Sequence, residues 1–338
     1  MSGRQSIGVA ACVLAAVLLP LLFAGPAPLI VRSNYAVNFG FLVLFTAFIG
    51  QSWNLAGGFA GQTSFGHAAF FGIGAYVSSI LHVSHGWNPW LAWPVAIAAG
   101  GLVGCFMGVL SFRAGLRGSY FALITLAFAE VFRIGANSVP FTRGGLGMLI
   151  RADPRAANFQ FRDPIWFYYL ALALCCLSLA IAWWLTRSRF GARLAAIREN
   201  EDAASALGID AFREKVKVLT LSGAMCAAGG TVYAQKYLYI DPSLAFSVDK
   251  SVEMLLVTMI GGIGTIFGPL VGASVIGVLG EVTRELGGSI PAVKNAQPLS
   301  VILYGIVLVI IIGYMPNGLL GLFRRRRALR PVATANAS

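Results

Sequence analysis

Apolar runs long enough to cross a bilayer recur along almost the whole chain, and they dictate the class of fold. A membrane-spanning helix needs about 20 predominantly apolar residues. Such runs lie near 7–24, 35–53, 66–83, 90–110, 119–137, 165–185, 216–235, 251–265, 267–282 and 299–315. The eighth and ninth are short and rich in glycine, so about 8–10 transmembrane helices are expected, in an all-α polytopic membrane bundle. Only 11% of the 338 residues are charged, while 57% are hydrophobic. A water-soluble domain carries roughly 25% charged residues, so a soluble globular enzyme is excluded. Disorder is excluded as well, because it needs low hydrophobicity.

The net charge of +12 does not point to nucleic acid, because the basic residues gather between apolar runs and at the C-terminal end. With both termini placed in the cytoplasm, 15 Lys and Arg residues fall inside and 9 outside. The inside set is dominated by Arg187–Lys217 and by the run Arg324, Arg325, Arg326 and Arg327 directly after the last span. Residues 1–323 are therefore expected to form one transmembrane domain, with 187–217 as a cytoplasmic loop and 324–338 as a basic cytoplasmic tail. The first apolar run follows Arg4 and ends at Ala24-Gly25, as a signal peptide would. Its 18-residue core exceeds the usual length of about 7–15, which favours a retained span. The five cysteines, Cys12, Cys105, Cys175, Cys176 and Cys226, all lie in apolar runs without metal or disulfide spacing, and are expected to be buried thiols.

The segment 187–217 is the most informative polar stretch. Asn200 is a good N-cap, and Glu201 and Asp202 follow in the first turn, where carboxylates favour the helix dipole. Ala203, Ala204, Ser205, Ala206 and Leu207 continue a helix, and Gly208 suits the C′ position. Asp210 caps the next helix. A two-turn helix is unstable alone in water and must dock. Two readings stay open: its small apolar face (Ala203, Ala204, Ala206, Leu207) fits a groove on a partner, or it packs back on its own bundle.

Residues 54–76 are dense in glycine and carry Asn54, Gln62, Thr63, Ser64 and His67 among Gly57, Gly58, Gly61 and Gly66. Broken helix at membrane depth survives only where it is buried in protein or lines a cavity. Transporters bind substrate beside such broken helices, so Asn54, Gly57, Gly58, Gly61, Gln62, Ser64, Gly66 and His67 are the expected pathway residues. Gly100, Gly104 and Gly108, like Gly264, Gly268 and Gly272, are expected to serve close helix packing only. The stretch Met259–Pro269 repeats a Gly-Gly then Phe-Gly order about 200 residues later, a weak sign of an internal repeat. Glu130 and Arg133 share a helix face at i, i+3 and are expected to pair as an intramembrane ion pair. His82 and His85 lack the companions of a metal site. No P-loop, Ser/His/Asp set or His-Glu-x-x-His is present. Catalytic chemistry is not expected, and energy for transport must come from another chain or an ion gradient.

These residues carry a resemblance. Ala60-Gly61-Gln62-Thr63-Ser64-Phe65-Gly66-His67 with Gly72-Ile73-Gly74-Ala75-Tyr76 resembles the signature of permease subunits of branched-chain amino acid ABC importers, the M-type of the permease pair. Leu116–Ala122, Thr125–Phe128, Arg198–Ile209, Lys215, Leu221–Ala224 and Tyr314–Leu322 extend it in order along nearly the whole chain. The resemblance implies that 200–208 is the coupling helix of a permease that binds no cofactor, ATP being used by two cytoplasmic ATP-binding subunits. It also implies a second homologous permease, an extracytoplasmic substrate-binding protein and a bacterial inner membrane. The outer loop Pro140–Pro164 is a candidate contact for the binding protein. At Phe141–Gly147 the sequence departs from the family, with Arg143 inserted in a Thr-Gly-Gly-type pattern. Similar permeases serve urea and short amides, and the side chains named so far do not separate these from leucine, isoleucine or valine. The competing readings are an ion-coupled transporter or channel and, last, an intramembrane enzyme.

Overall fold

The computed structural model describes residues 33–289, together with 305, 309, 313 and 318–320. The expected span 7–24, all but three positions of 299–315, and the tail 324–338 lie outside the described residues. The fold is helical, with one two-stranded ribbon among the described residues. Its helices are α1 (Ser33–Asn54), α2 (His67–His85), α3 (Pro89–Arg113), α4 (Gly118–Ser138), α5 (Pro164–Arg187), α6 (Arg189–Glu199), α7 (Glu201–Ala206), α8 (Ala211–Tyr237), α9 (Pro242–Ala245), α10 (Val248–Gly261) and α11 (Gly268–Ser289). Among the described residues four helical stretches are long and apolar enough to cross a membrane: Tyr35–Phe59, Pro89–Arg113, Gly118–Ser138 and Pro164–Arg187.

Helix starts follow local chemistry. Asn88 accepts from the Trp90 amide with Pro89 in the first turn, Ser188 accepts from the Gly191 amide, and Asp210 accepts from the Arg213 amide. Gly86, at φ 66°, closes α2 in the left-handed conformation that suits glycine. The expected span 251–265 is shorter than the sequence suggests. α10 stops at Gly261, because Gly262 (φ 132°) and Gly264 (φ 69°) leave helical space. Fourteen residues rise about 21 Å, less than a hydrocarbon core of about 30 Å, so the loop 262–267 lies within the bundle rather than beyond it.

The centre is a slab of α2, α3 and α8, in which small residues let backbones touch. A side chain added at Gly74 would meet the Ala227 carbonyl at 2.1 Å, and one at Gly230 the Phe71 carbonyl at 2.0 Å. Gly100 and Gly104 face Gly223 and Leu219 in the same way, as the sequence led us to expect. Around this slab pack large rings that are fully buried, among them Trp53, Phe41, Phe48, Phe70, Phe71 and Phe121. Cys175 and Cys226 are buried free thiols, and Cys105 and Cys176 are partly buried ones.

Met148 pairs with Ile240 and Leu149 with Tyr239 in an antiparallel ribbon, β1 with β2. This ribbon ties the outer loop to the end of α8. Trp90 stacks on Phe159 at 4.1 Å and holds the second half of that loop over the start of α3. Arg143 adopts a left-handed backbone (φ 61°), a position that suits glycine. The departure from the family pattern thus falls on a tight turn.

A candidate joint between the cytoplasmic arm and a broken helix

α1 ends at Asn54 and continues as one π-helical turn, Leu55–Phe59, before the chain unwinds through residues 60–66. The unwinding lies inside the membrane region. The Phe65 amide donates to Thr125 Oγ1 at 3.2 Å. Thr125 stands seven residues into α4, about 10 Å from its cytoplasmic start. Gly66 lies against the same residue, and an added Cβ there would sit 2.3 Å from the Thr125 carbonyl.

Most polar groups of this segment find partners within the protein, Gln62 Oε1 and His67 Nδ1 excepted. Trp53 Nε1 donates to the Ser64 carbonyl at 2.7 Å. Asn54 Nδ2 donates to the Thr265 carbonyl at 2.9 Å, and Asn54 Oδ1 accepts from the Gly264 amide at 2.9 Å. Ser222 Oγ donates its one proton to the Ser52 carbonyl at 2.6 Å. His67 Nε2, 2.8 Å from that oxygen, must therefore be the donor of the pair. This fixes the proton on Nε2 and leaves Nδ1 without a protein partner. The Ala68 amide, at the start of α2, donates to Ser251 Oγ of α10.

The eight expected pathway residues differ in exposure. Asn54, Gly57, Gly58, Gln62, Ser64, Gly66 and His67 are all buried, and Gly61 alone of the eight has an exposed surface. Burying a polar group without a partner costs roughly 1–3 kcal/mol, so the segment turns its polar atoms inward and forms a packed joint. Gly264, expected only to pack helices, is part of this joint. The two glycine-rich stretches meet there.

The sequence reading missed the residue that closes the joint, Arg198. Its Nη1 donates to the Gly58 carbonyl at 2.9 Å. A Cβ added at Gly61 would meet Arg198 Cγ at 2.7 Å, and one at Gly264 would meet Arg198 Nη1 at 2.7 Å. Both glycines are therefore required by the path of one arginine. Arg198 is the penultimate residue of α6, two positions before the cap of α7. The signal available was a basic residue directly before a capped helix, but its partner lies 140 positions away.

The short helix forms where the caps place it. Asn200 Oδ1 accepts from the amides of Asp202 and Ala203, and Gly208 takes φ 83°. Its two carboxylates hold it to the bundle. Glu201 accepts from Lys215 Nζ at 2.7 Å, and that ammonium also lies over the Phe112 ring. Arg117, just before α4, donates to Asp202 at 2.9 Å and lies 3.4 Å from Glu201. The hydrogen bond that Arg117 donates to Asp202, with the charges of Glu201 and Asp202, raises the pKa of the guanidinium above its ordinary value.

The apolar face divides in two, which corrects the reading of Ala204. Ala204 is only 2% exposed and packs against Ile197 and Ala211, whereas Leu207 is 82% exposed. Ala203 and Ala206 are also exposed. One side of the helix packs back on its own bundle, and the other, with Leu207, is exposed.

Glu130 and Arg133 form the expected ion pair, with Arg133 Nε 2.9 Å from Glu130 Oε2 and Nη2 2.5 Å from Oε1. Glu253, near the outer end of α10, accepts from Lys250 at 2.8 Å.

A buried, glycine-packed bundle with several membrane-length helices and a capped helical arm is a polytopic helical membrane protein. The chain belongs to the family described as branched-chain amino acid transport system / permease component, whose model matches residues 33–312. It is 28% identical over 322 residues to the high-affinity branched-chain amino acid transport system permease protein LivM of Escherichia coli K12, covering 88% of this chain and 73% of that one. It is 22% identical over 303 residues to LivH of the same organism, with 81% and 91% covered. The ribose import permease protein RbsC of Bacillus subtilis is 29% identical over 180 residues, with 49% and 52% covered. No solved structure matches.

Proposed function

We propose that this chain is the permease subunit of an ATP-driven importer of branched-chain amino acids in a bacterial inner membrane. It binds no cofactor itself. ATP is used by two cytoplasmic ATP-binding subunits that dock on α7, through Asn200, Glu201, Asp202, Ala203, Leu207 and Gly208. A second homologous permease completes the passage, and an extracytoplasmic binding protein delivers substrate to the outer side, with Pro140–Pro164 as its contact. The likeness to both LivM and LivH supports a paired arrangement of related chains.

The single observation that carries this reading is the attachment of α7. It presents Leu207 outward and is tied by Arg117 to α4, by Lys215 to α8, and through Arg198 to the broken end of α1. A push on α7 therefore acts on three membrane elements at once. The eight residues of the broken segment serve as the joint through which the passage is opened.

Docking is tested by Leu207→Asp. Burying a leucine side chain is worth roughly 1.5–3 kcal/mol, so the variant is expected to bind the ATP-binding subunits about 10- to 100-fold more weakly, measured by co-purification from detergent. The membrane bundle should survive, because Leu207 touches little of it. Ala204→Asp should instead unseat α7 from Ile197 and Ala211. Unchanged docking of Leu207→Asp overturns the coupling role of α7. ATP-dependent uptake of labelled leucine by vesicles holding the assembled complex tests the function itself, and uptake indifferent to ATP would overturn it in favour of ion coupling.

A further inference from the structure

The pair Glu130–Arg133 stands in an unusual place. Glu130 lies 12 residues beyond Gly118, about 18 Å along α4 at 1.5 Å per residue. Both residues thus fall within the outer half of a hydrocarbon core about 30 Å thick. Charged residues at such depth face a bundle interior, a partner or a water-filled cavity, not lipid. Yet α4 is the least covered of the four apolar helices. Only 22% of its apolar stretch is buried, against 61% for the stretch that includes α1. The two side chains are 41% and 34% exposed, and among the described residues each finds its charge partner in the other. Asn137, one turn further out, lies on the same face beneath the outer loop and donates to the Arg133 carbonyl.

Resting on the importer reading above, we infer that Glu130 and Arg133 form the recognition site for the charged end of a zwitterionic α-amino acid on the outer half of the passage. The guanidinium offers a planar fork that fits a carboxylate. The Glu130 carboxylate accepts hydrogen bonds from an ammonium. In the empty protein the two groups satisfy each other. A zwitterion replaces that one pairing with two, carboxylate to Arg133 and ammonium to Glu130, and no net charge enters the membrane. Urea or a short amide brings neither charge and cannot open the pair on these terms. The site therefore selects amino acids over uncharged amides, which the glycine-rich segment does not do. Its position on α4 also places it under the control of α7, because Arg117 at the start of α4 is bonded to Asp202.

The test uses the full complex with its ATP-binding subunits, second permease and binding protein in proteoliposomes. Labelled leucine, isovaleramide and urea are supplied outside. The unmodified complex should carry leucine and leave both amides behind. The double variant Glu130→Gln with Arg133→Gln should lose leucine uptake at least about tenfold, one charge-assisted pairing being worth that much, while ATP hydrolysis persists. The reversed pair, Glu130→Arg with Arg133→Glu, keeps a structural ion pair but presents the charges the wrong way round, so its uptake should stay low. Should the Gln pair fail to assemble, the reversed pair is read alone. Restored uptake in the reversed pair, normal uptake in the Gln pair, or equal uptake of amides by the unmodified complex each overturns the site while leaving the importer intact. Absence of any ATP-dependent amino acid uptake by the unmodified complex overturns the importer reading, and the site with it.

Discussion

Replacing Gly61 with valine is expected to abolish transport while the protein still assembles. Gly61 has φ 70°, where an L-residue costs roughly 1–2 kcal/mol. A Cβ there would also lie 2.7 Å from Arg198 Cγ and 3.4 Å from its Cβ. These atoms are near the arginine backbone, so they cannot simply swing aside. The guanidinium has to leave the Gly58 carbonyl. Gly115→Val is the matched control, because Gly115 has the same φ of 70° and nothing within 4 Å. It should bear the backbone strain and keep transport near normal. Uptake in proteoliposomes, with gel filtration to report assembly, checks both. Normal uptake by Gly61→Val would remove the joint from the transport cycle.

Removal of Arg198 is expected to uncouple ATP hydrolysis from transport. In Arg198→Ala the bond from a charged donor to the Gly58 carbonyl is lost, and such bonds are worth roughly 1.5–3 kcal/mol. Transport per ATP hydrolysed should fall about 10- to 100-fold. Docking of the ATP-binding subunits should persist, because Leu207 and the cap of α7 remain in place. Lysine at this position should recover little, since its ammonium lacks the fork that reaches around Gly61 and Gly264. The two variants act through one contact, so their effects should not add. Gly61→Val in the Arg198→Ala background should cost less than it does alone. Equal coupling ratios in the variant and the unmodified complex would overturn the role of Arg198.

Much of the fold was legible because its determinants are local. The caps Asn200 and Gly208 and the turn at Gly208 follow from neighbouring residues alone, and they set the ends of α7. The apolar runs placed α1, α3, α4 and α5 for the same reason. The joint was only half legible. Its glycines are visible in the sequence, but a glycine does not say what approaches it. Gly58 and Gly264 are spaced for Arg198 and for each other, across more than 200 positions, and only packing brings them together. Ala204 was misread on similar grounds. Alanines recur around this short helix, and which of them is buried is decided by Ile197 and Ala211, not by the helix itself. The stretch Met259–Pro269 meets the first glycine-rich stretch at Asn54 and Gly58, a contact that the order of residues does not show. Asn54 and His67 meet the Thr265 carbonyl and Ser222, from segments more than 150 positions away, which no local pattern shows.

The glycine contacts between α2, α3 and α8 set where motion is possible. Where one backbone lies on another there is no side chain to change rotamer and no slack to take up a shift. These three helices form a stator. Alternation between outward and inward openings has to be carried by the parts seated on it through longer side chains: α1 with its broken end, α10 and α11, and the thinly covered α4. Amide hydrogens along α8 should then exchange slowly in every nucleotide state, and those of residues 55–66 should change between states.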